Sequence, residues 1–320
     1  ALQEATRTVV ELDKSLTEQA MVTGMSRQEV YSLLSSYQNL AQSIGATTKE
    51  VAEASSEFIK QGKSISEALT LSKAAVSAAK VAGVSVSASI NYLTTALNGF
   101  KLSADDAMSV SDKFAAIAAA SASDYDEIAT ALSKVASQAK LAGMSIDYTT
   151  ALLTTGLEVT REAPETMGTA LKTIIARMRE ISDYGETLED GTDLNNVETQ
   201  LKYIGIALTD DKGELRSTED VLDELGKKWQ DLNSNQQAAI AKALAGTRQQ
   251  SRLIAMMDNY ERVQELNEIS QRSSGATAAQ LSKYMEGFEA AINNIKVAWE
   301  KLVETFVNSN FVATLINGGA

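Results

Sequence analysis

The stretch Ala79-Lys80-Val81-Ala82-Gly83-Val84-Ser85-Val86 returns sixty residues later as Ala139-Lys140-Leu141-Ala142-Gly143-Met144-Ser145-Ile146. The echo extends downstream, where Leu93-Thr94-Thr95-Ala96-Leu97 is answered by Leu153-Thr154-Thr155-Gly156-Leu157. A fainter copy, Val22-Thr23-Gly24-Met25-Ser26, lies 59 residues before the first. A fixed period implies one supersecondary unit used about three times, each copy burying its apolar face against a neighbour. Each copy reads as a helix–turn–helix joint. Glycine ends one helix in the left-handed conformation, which would strain a Cβ. The serine two residues on caps the next helix by accepting a bond from its first free amides.

Working outward, the same punctuation recurs. Ser26 with Glu29, Thr47 with Glu50 and Ser64 with Glu67 read as capping boxes, and Ser103 with Asp106 and Ser123 with Asp126 as weaker versions. Further starts are expected at Ser217 with Asp220, at Asn233 or Ser234, and at Thr277 with Gln280. The fold class is therefore all-α, a bundle of short capped helices, with helix throughout as far as residue 180. Its many alanines and serines allow close helix approach but bury little area each, at roughly 25 cal/mol per Å². A modestly stable bundle is expected.

Three regions follow from this reading: repeated helical hairpins over 1–182, a loop, β-hairpin and helical subdomain over 183–275, and a coiled-coil-like helix and tail over 276–320. Asp183 to Asp193 is acidic and carries Gly185 and Gly191. It lacks the spacing of a calcium loop and reads as a solvated turn, so no metal is expected. Two short apolar segments around Asp210-Asp211-Lys212-Gly213 suggest a small β-hairpin near 203–216. In the last helix Leu281, Met285, Phe288, Ile292, Ile295, Trp299, Leu302 and Phe306 alternate at spacings of four and three. That period is the mark of a supercoiled seam. Its bulky knobs suit the wider centre of a three-stranded coil, so a homotrimer joined through these residues is expected. The competing reading packs the stripe on Trp229 and Leu232 of the same chain.

Composition narrows the chemistry. The 320 residues are 44% apolar but only 5% aromatic, with one proline, no cysteine and no histidine. Disulfides, thiolate or imidazole metal sites and histidine-based nucleophile systems are thereby removed. A net charge of −13 argues against sequence-specific nucleic-acid binding and against adhesion to an anionic membrane, and no apolar run is long enough to span one. The carboxylates Glu158, Glu162 and Glu165 cluster, but two of them flank Pro164 at a helix start, where the helix dipole explains them. Lys242, Arg248 and Arg252 read as a solvated or salt-bridging face. No catalytic residue, enzyme activity or cofactor is expected.

Several stretches together resemble a known family: Leu12-Asp13-Lys14, Gly24 with Ser26, Phe58-Ile59-Lys60-Gln61-Gly62-Lys63-Ser64, and the twin Ala-Gly-x-Ser joints. Arg161 to Met178 with Gly168-Thr169-Ala170-Leu171-Lys172, Gln236 to Gln249, and Met285 to Ile292 followed by Trp299-Glu300 add to them. In order and spacing, over about residues 12–310, they resemble the core region of phage tail tape measure proteins. The resemblance implies a structural protein of a phage tail or tail-like particle, assembled in the host cytoplasm and present in few copies in the tube lumen or tip. It implies a role in setting tail length, release during genome ejection, and tail tube and tail tip or baseplate proteins as partners. A helical interaction scaffold of non-viral origin is the alternative. The chain is expected to be a segment of a longer protein.

Overall fold

The computed structural model describes residues 2–179 and 195–308, without the side chains of 2–9, 11–12, 195 and 303–308. In chain order its helices are α1 (Leu2–Thr23), α2 (Arg27–Ser32), α3 (Leu34–Ile44), α4 (Thr48–Lys60), α5 (Ile65–Ala82), α6 (Val86–Phe100), α7 (Ala107–Ala120), α8 (Tyr125–Ser133) and α9 (Ala136–Leu141). There follow α10 (Ile146–Thr160), α11 (Pro164–Arg179), α12 (Asn195–Tyr203), α13 (Thr218–Lys228), α14 (Ser234–Asp258), α15 (Tyr260–Gln271), α16 (Ala276–Met285) and α17 (Phe288–Asn308). The acidic run 183–193 lies outside the described residues. The chain divides into two compact units that interleave in sequence, so each draws on more than one of the three expected regions. One comprises Ala1–Asn91, Ala104–Ser111 and Thr277–Ala320, the other Tyr92–Ser103 and Asp112–Ala276.

At the echoed joints the local chemistry is as read. Gly24, Gly83 and Gly143 have φ of 73°, 67° and 76°. Ser26, Ser85 and Ser145 then accept from the amides of Glu29, Ala88 and Tyr148 at 3.2, 3.1 and 3.1 Å. The flanking helices differ, however, with 22, 18 and 6 residues before the three joints. The boxes at Ser26, Thr47 and Ser64 close with Glu29, Glu50 and Glu67 accepting from the cap amides at 2.7, 2.8 and 2.9 Å.

Two starts are corrected, and a third is decided between its two alternatives. Asp124, not Ser123, caps α8 with Glu127, because Ser123 is buried behind it. Asn233 caps α14, accepting from the amides of Asn235 and Gln236. Thr277 is not a cap: it lies inside α16, fully buried, with its hydroxyl 3.0 Å from that of Ser111. α14 breaks at Gly246, which adopts φ 68° and ψ 173°.

The expected β-hairpin near 203–216 reduces to a single antiparallel bridge between Thr209 and Leu215, and no strand occurs among the described residues. Tyr203 belongs to α12, and Asp210 closes the turn by accepting from the amides of Lys212 and Glu214, both at 2.9 Å. α12 takes Tyr203 and ends in a turn at Gly205 (φ 75°), with the Ile206 amide donating back to Leu201 O, which removes the start of the first segment from pairing.

The first unit centres on α4, which packs on α5, α1 and α3. Between them Tyr37 is fully buried, accepting from Gln19 at 2.7 Å and donating to Ser55 at 3.2 Å. In the second unit α10 is buried from Tyr148 to Leu157 and packs on α15, α14, α8 and α11. Small residues set the spacing there. A Cβ at Gly168 of α11 would lie 2.3 Å from the Ala131 carbonyl oxygen, and one at Gly99 would lie 2.5 Å from the Ala136 Cβ. The cores also hold hydroxyls without a hydrogen-bond partner: Ser72 and Ser77 in α5, and Thr154 and Thr155 in α10. Each such group sacrifices roughly 1 kcal/mol or more of stability.

Candidate interaction surface

The residues expected to form a supercoiled seam do not share one helix. Glu286 and Gly287 break the chain between α16 and α17, with the Gly287 amide donating to Tyr284 O at 2.8 Å. Leu281 and Met285 are half-buried on α16. Phe288, Ile292, Ile295, Trp299 and Leu302 lie on α17 and are exposed, Phe288 by 82% and Ile295 by 69%. Phe306 also lies on α17, but its side chain is outside the described ones. Trp229 and Leu232, the partners in the competing expectation, belong to the other unit. Trp229 is buried there, donating to Asp258 at 2.6 Å.

What holds α17 is its opposite face. Ala290, Asn293 and Val297 are buried, spaced three and four apart, and the helix packs on α3 and α1. The reason is Gly45, the left-handed end of α3, which takes a neighbour at very short range. A Cβ there would meet Met285 Sδ at 2.5 Å and Ala290 Cβ at 2.9 Å. Asn293 donates to the Gly45 carbonyl at 3.0 Å, satisfying one of the free acceptors at the helix end. Lys301 adds bonds to Asn39 and Gln42 at 2.9 and 3.0 Å, and Glu300 accepts from the Thr48 hydroxyl. Burial pushes the Glu300 carboxyl above its ordinary range, partly offset by Thr48 and Lys296.

The lysine of the opening motif has an unforeseen part here. Lys80 pairs with Glu50 at 2.7 Å, reaches Glu289 at 3.4 Å and lies 5.9 Å from the Tyr284 ring centre. Burial alone would lower its pKa, but the bond to Glu50 and its charge outweigh this and raise it. Lys140, at the same place in the echo, is exposed. Lys80→Ala is expected to loosen α17 by about 1 kcal/mol, the scale of a half-buried ion pair. Hydrogen exchange of the α17 amides then speeds up several-fold, whereas Lys140→Ala leaves it unchanged. Equal exchange in both variants would mean that the small-residue contacts alone retain the helix.

The charged clusters elsewhere act as structural ties. Glu158 makes a two-pronged pair with Arg262 at 3.0 and 3.1 Å, and Glu162 a similar one with Arg252. Glu165 is exposed in the first turn of α11 behind Pro164. Arg252 is thus engaged, while Lys242 and Arg248 face solvent. Among the described residues no group of three or more carboxylates is placed to hold a metal ion, and no single helix is long and apolar enough to cross a membrane.

The sequence signal for α17's docked face was present in the small-residue spacing Ala290, Asn293, Val297, but the bulkier stripe on the other side masked it. In comparison with known proteins, residues 12–246 match the family model described as phage-related minor tail protein. No solved structure matches the chain.

Proposed function

Because the chain belongs to the family of phage-related minor tail proteins, we propose that it is a tape measure segment, a helical structural component whose length along the tail tube sets the tail's length. The family match over residues 12–246 carries this reading, since it takes in the glycine joints and the Gly168 stretch on which the helical packing rests. The chain's role is structural: Glu158 and Glu162 of the carboxylate cluster tie helices together through Arg262 and Arg252. Its partners are tail tube and tail tip or baseplate proteins, and it leaves ahead of the genome at ejection.

Passage through a tube favours a fold that comes apart at low cost. The 320 residues drawn out as helix would run roughly 480 Å, at about 1.5 Å per residue. Small side chains, the absence of disulfides and the unpartnered core hydroxyls of Ser72, Ser77, Thr154 and Thr155 all keep unpacking cheap. The test is an in-frame deletion of one sixty-residue period in the intact phage, followed by electron microscopy of the tails. Tails shortened by about 90 Å support the ruler, at about 1.5 Å per residue. Tails of unchanged length would leave this segment a tail component that does not measure.

A further inference from the structure

The exposed stripe on α17 is complementary to its own reverse. Laid antiparallel on a second α17, Ile292 comes opposite Ile295 and Phe288 opposite Trp299, each contact occurring twice by symmetry. The flanks then decide the orientation. Glu289 and Lys296 border the stripe on one side, both exposed, and Ala291 and Ala298 border it on the other. In the antiparallel register Glu289 meets Lys296 of the second copy twice, while the alanines meet each other and allow close approach. In a parallel pairing of α17 Lys296 would instead lie beside Ala291, and Glu289, at the helix start, beside no residue of the second helix, so neither would meet an opposite charge. Glu289 also reaches Lys80 at 3.4 Å, yet its side chain stays 67% exposed and open to a second cation.

We infer that α17 is a self-association surface that pairs antiparallel with α17 of a second copy of this chain, through Phe288, Ile292, Ile295 and Trp299 and the Glu289–Lys296 contacts. The opposite face of the helix is already docked at Gly45, so the pair forms without disturbing the fold. A contact of one helix with another is at the small end of specific interfaces, so micromolar affinity is expected.

Sedimentation of the chain across the micromolar range is expected to show a monomer–dimer equilibrium. Glu289→Lys places like charges opposite one another twice, as does Lys296→Glu, and each is expected to weaken the dimer about tenfold. The two exchanges combined restore opposite charges and the original affinity, which also separates pairing from any effect on Lys80. Because the chain contains no cysteine, orientation can be read by oxidation. A mixture of Ala291→Cys and Ala298→Cys chains is expected to cross-link, and Leu302→Cys alone is not, because its two copies lie about 25 Å apart along the antiparallel pair but side by side in a parallel one. A monomer at every concentration, a parallel trimer, self-cross-linking of Leu302→Cys, or a combined exchange that does not restore association overturns the proposal.

Discussion

Replacing Gly168 with alanine is expected to destabilise the second unit by about 2 kcal/mol, although alanine is the better helix former. Two opposing effects decide the sign. Inside an α-helix the change from glycine to alanine gains about 1 kcal/mol of propensity. Against it, the new Cβ would lie 2.3 Å from the Ala131 carbonyl oxygen and 2.9 Å from the Lys134 Cβ. The first of these neighbours is backbone and cannot turn aside as a flexible side chain does, so α8 and α11 must separate. Overpacking of a tight core costs about 3 kcal/mol at its upper range, which exceeds the propensity gain. For a unit of this size the midpoint of thermal unfolding should fall by about 4–8 °C. The exposed neighbour Thr169→Ala serves as the control and should be near neutral. An unchanged or raised midpoint for Gly168→Ala would show that the two helices can slide apart freely, against the close-approach reading.

Arg262→Met should produce a loss of similar size, with a dependence on pH that the glycine variant lacks. Arg262 holds Glu158 through two bonds and also donates to Ala120 O at 2.6 Å. It thereby ties α15 to the end of α10 and to the turn after α7. The pair is neither open nor sealed, with side-chain exposures of 28% and 15%. A cost of about 2 kcal/mol, between the values for surface and fully buried pairs, follows at neutral pH. Burial would raise the Glu158 pKa, but Arg262 and the Ala122 amide outweigh it and hold the carboxyl below its ordinary range. A carboxylate depressed in the folded state contributes stability above the unfolded value and loses it as the pH falls through the folded one. Urea unfolding should therefore separate the wild type from Arg262→Met most widely at pH 7, with the gap narrowing below about pH 4.5. A gap that stays constant with pH would trace the loss to packing of the arginine stem rather than to its charge.

The sequence by itself determined the helical class and the chemistry of its joints, because both depend on interactions within a few residues. Glycine at Gly24, Gly83 and Gly143 can take a positive φ wherever the chain goes, and Ser26, Thr47 and Ser64 cap helices through amides only three residues away. The family, too, was legible in the order of such stretches, although the finer tail-measuring role remains the proposal above. Tertiary structure decided whatever depends on competition between distant partners. Two short apolar segments at 203–216 could have paired as strands, but the end of α12 and its closing turn at Gly205 took the start of the first and left one bridge. The spacing from Leu281 to Phe306 reported an apolar stripe without reporting where the stripe would face. That was settled by Gly45, some 250 residues earlier, whose bare α-carbon accepts Ala290 and whose carbonyl accepts Asn293. A helix has two sides, and its periodicity weights the bulkier one. Here backbone proximity and a hydrogen bond draw in the smaller side and leave Phe288, Ile292, Ile295 and Trp299 facing outward.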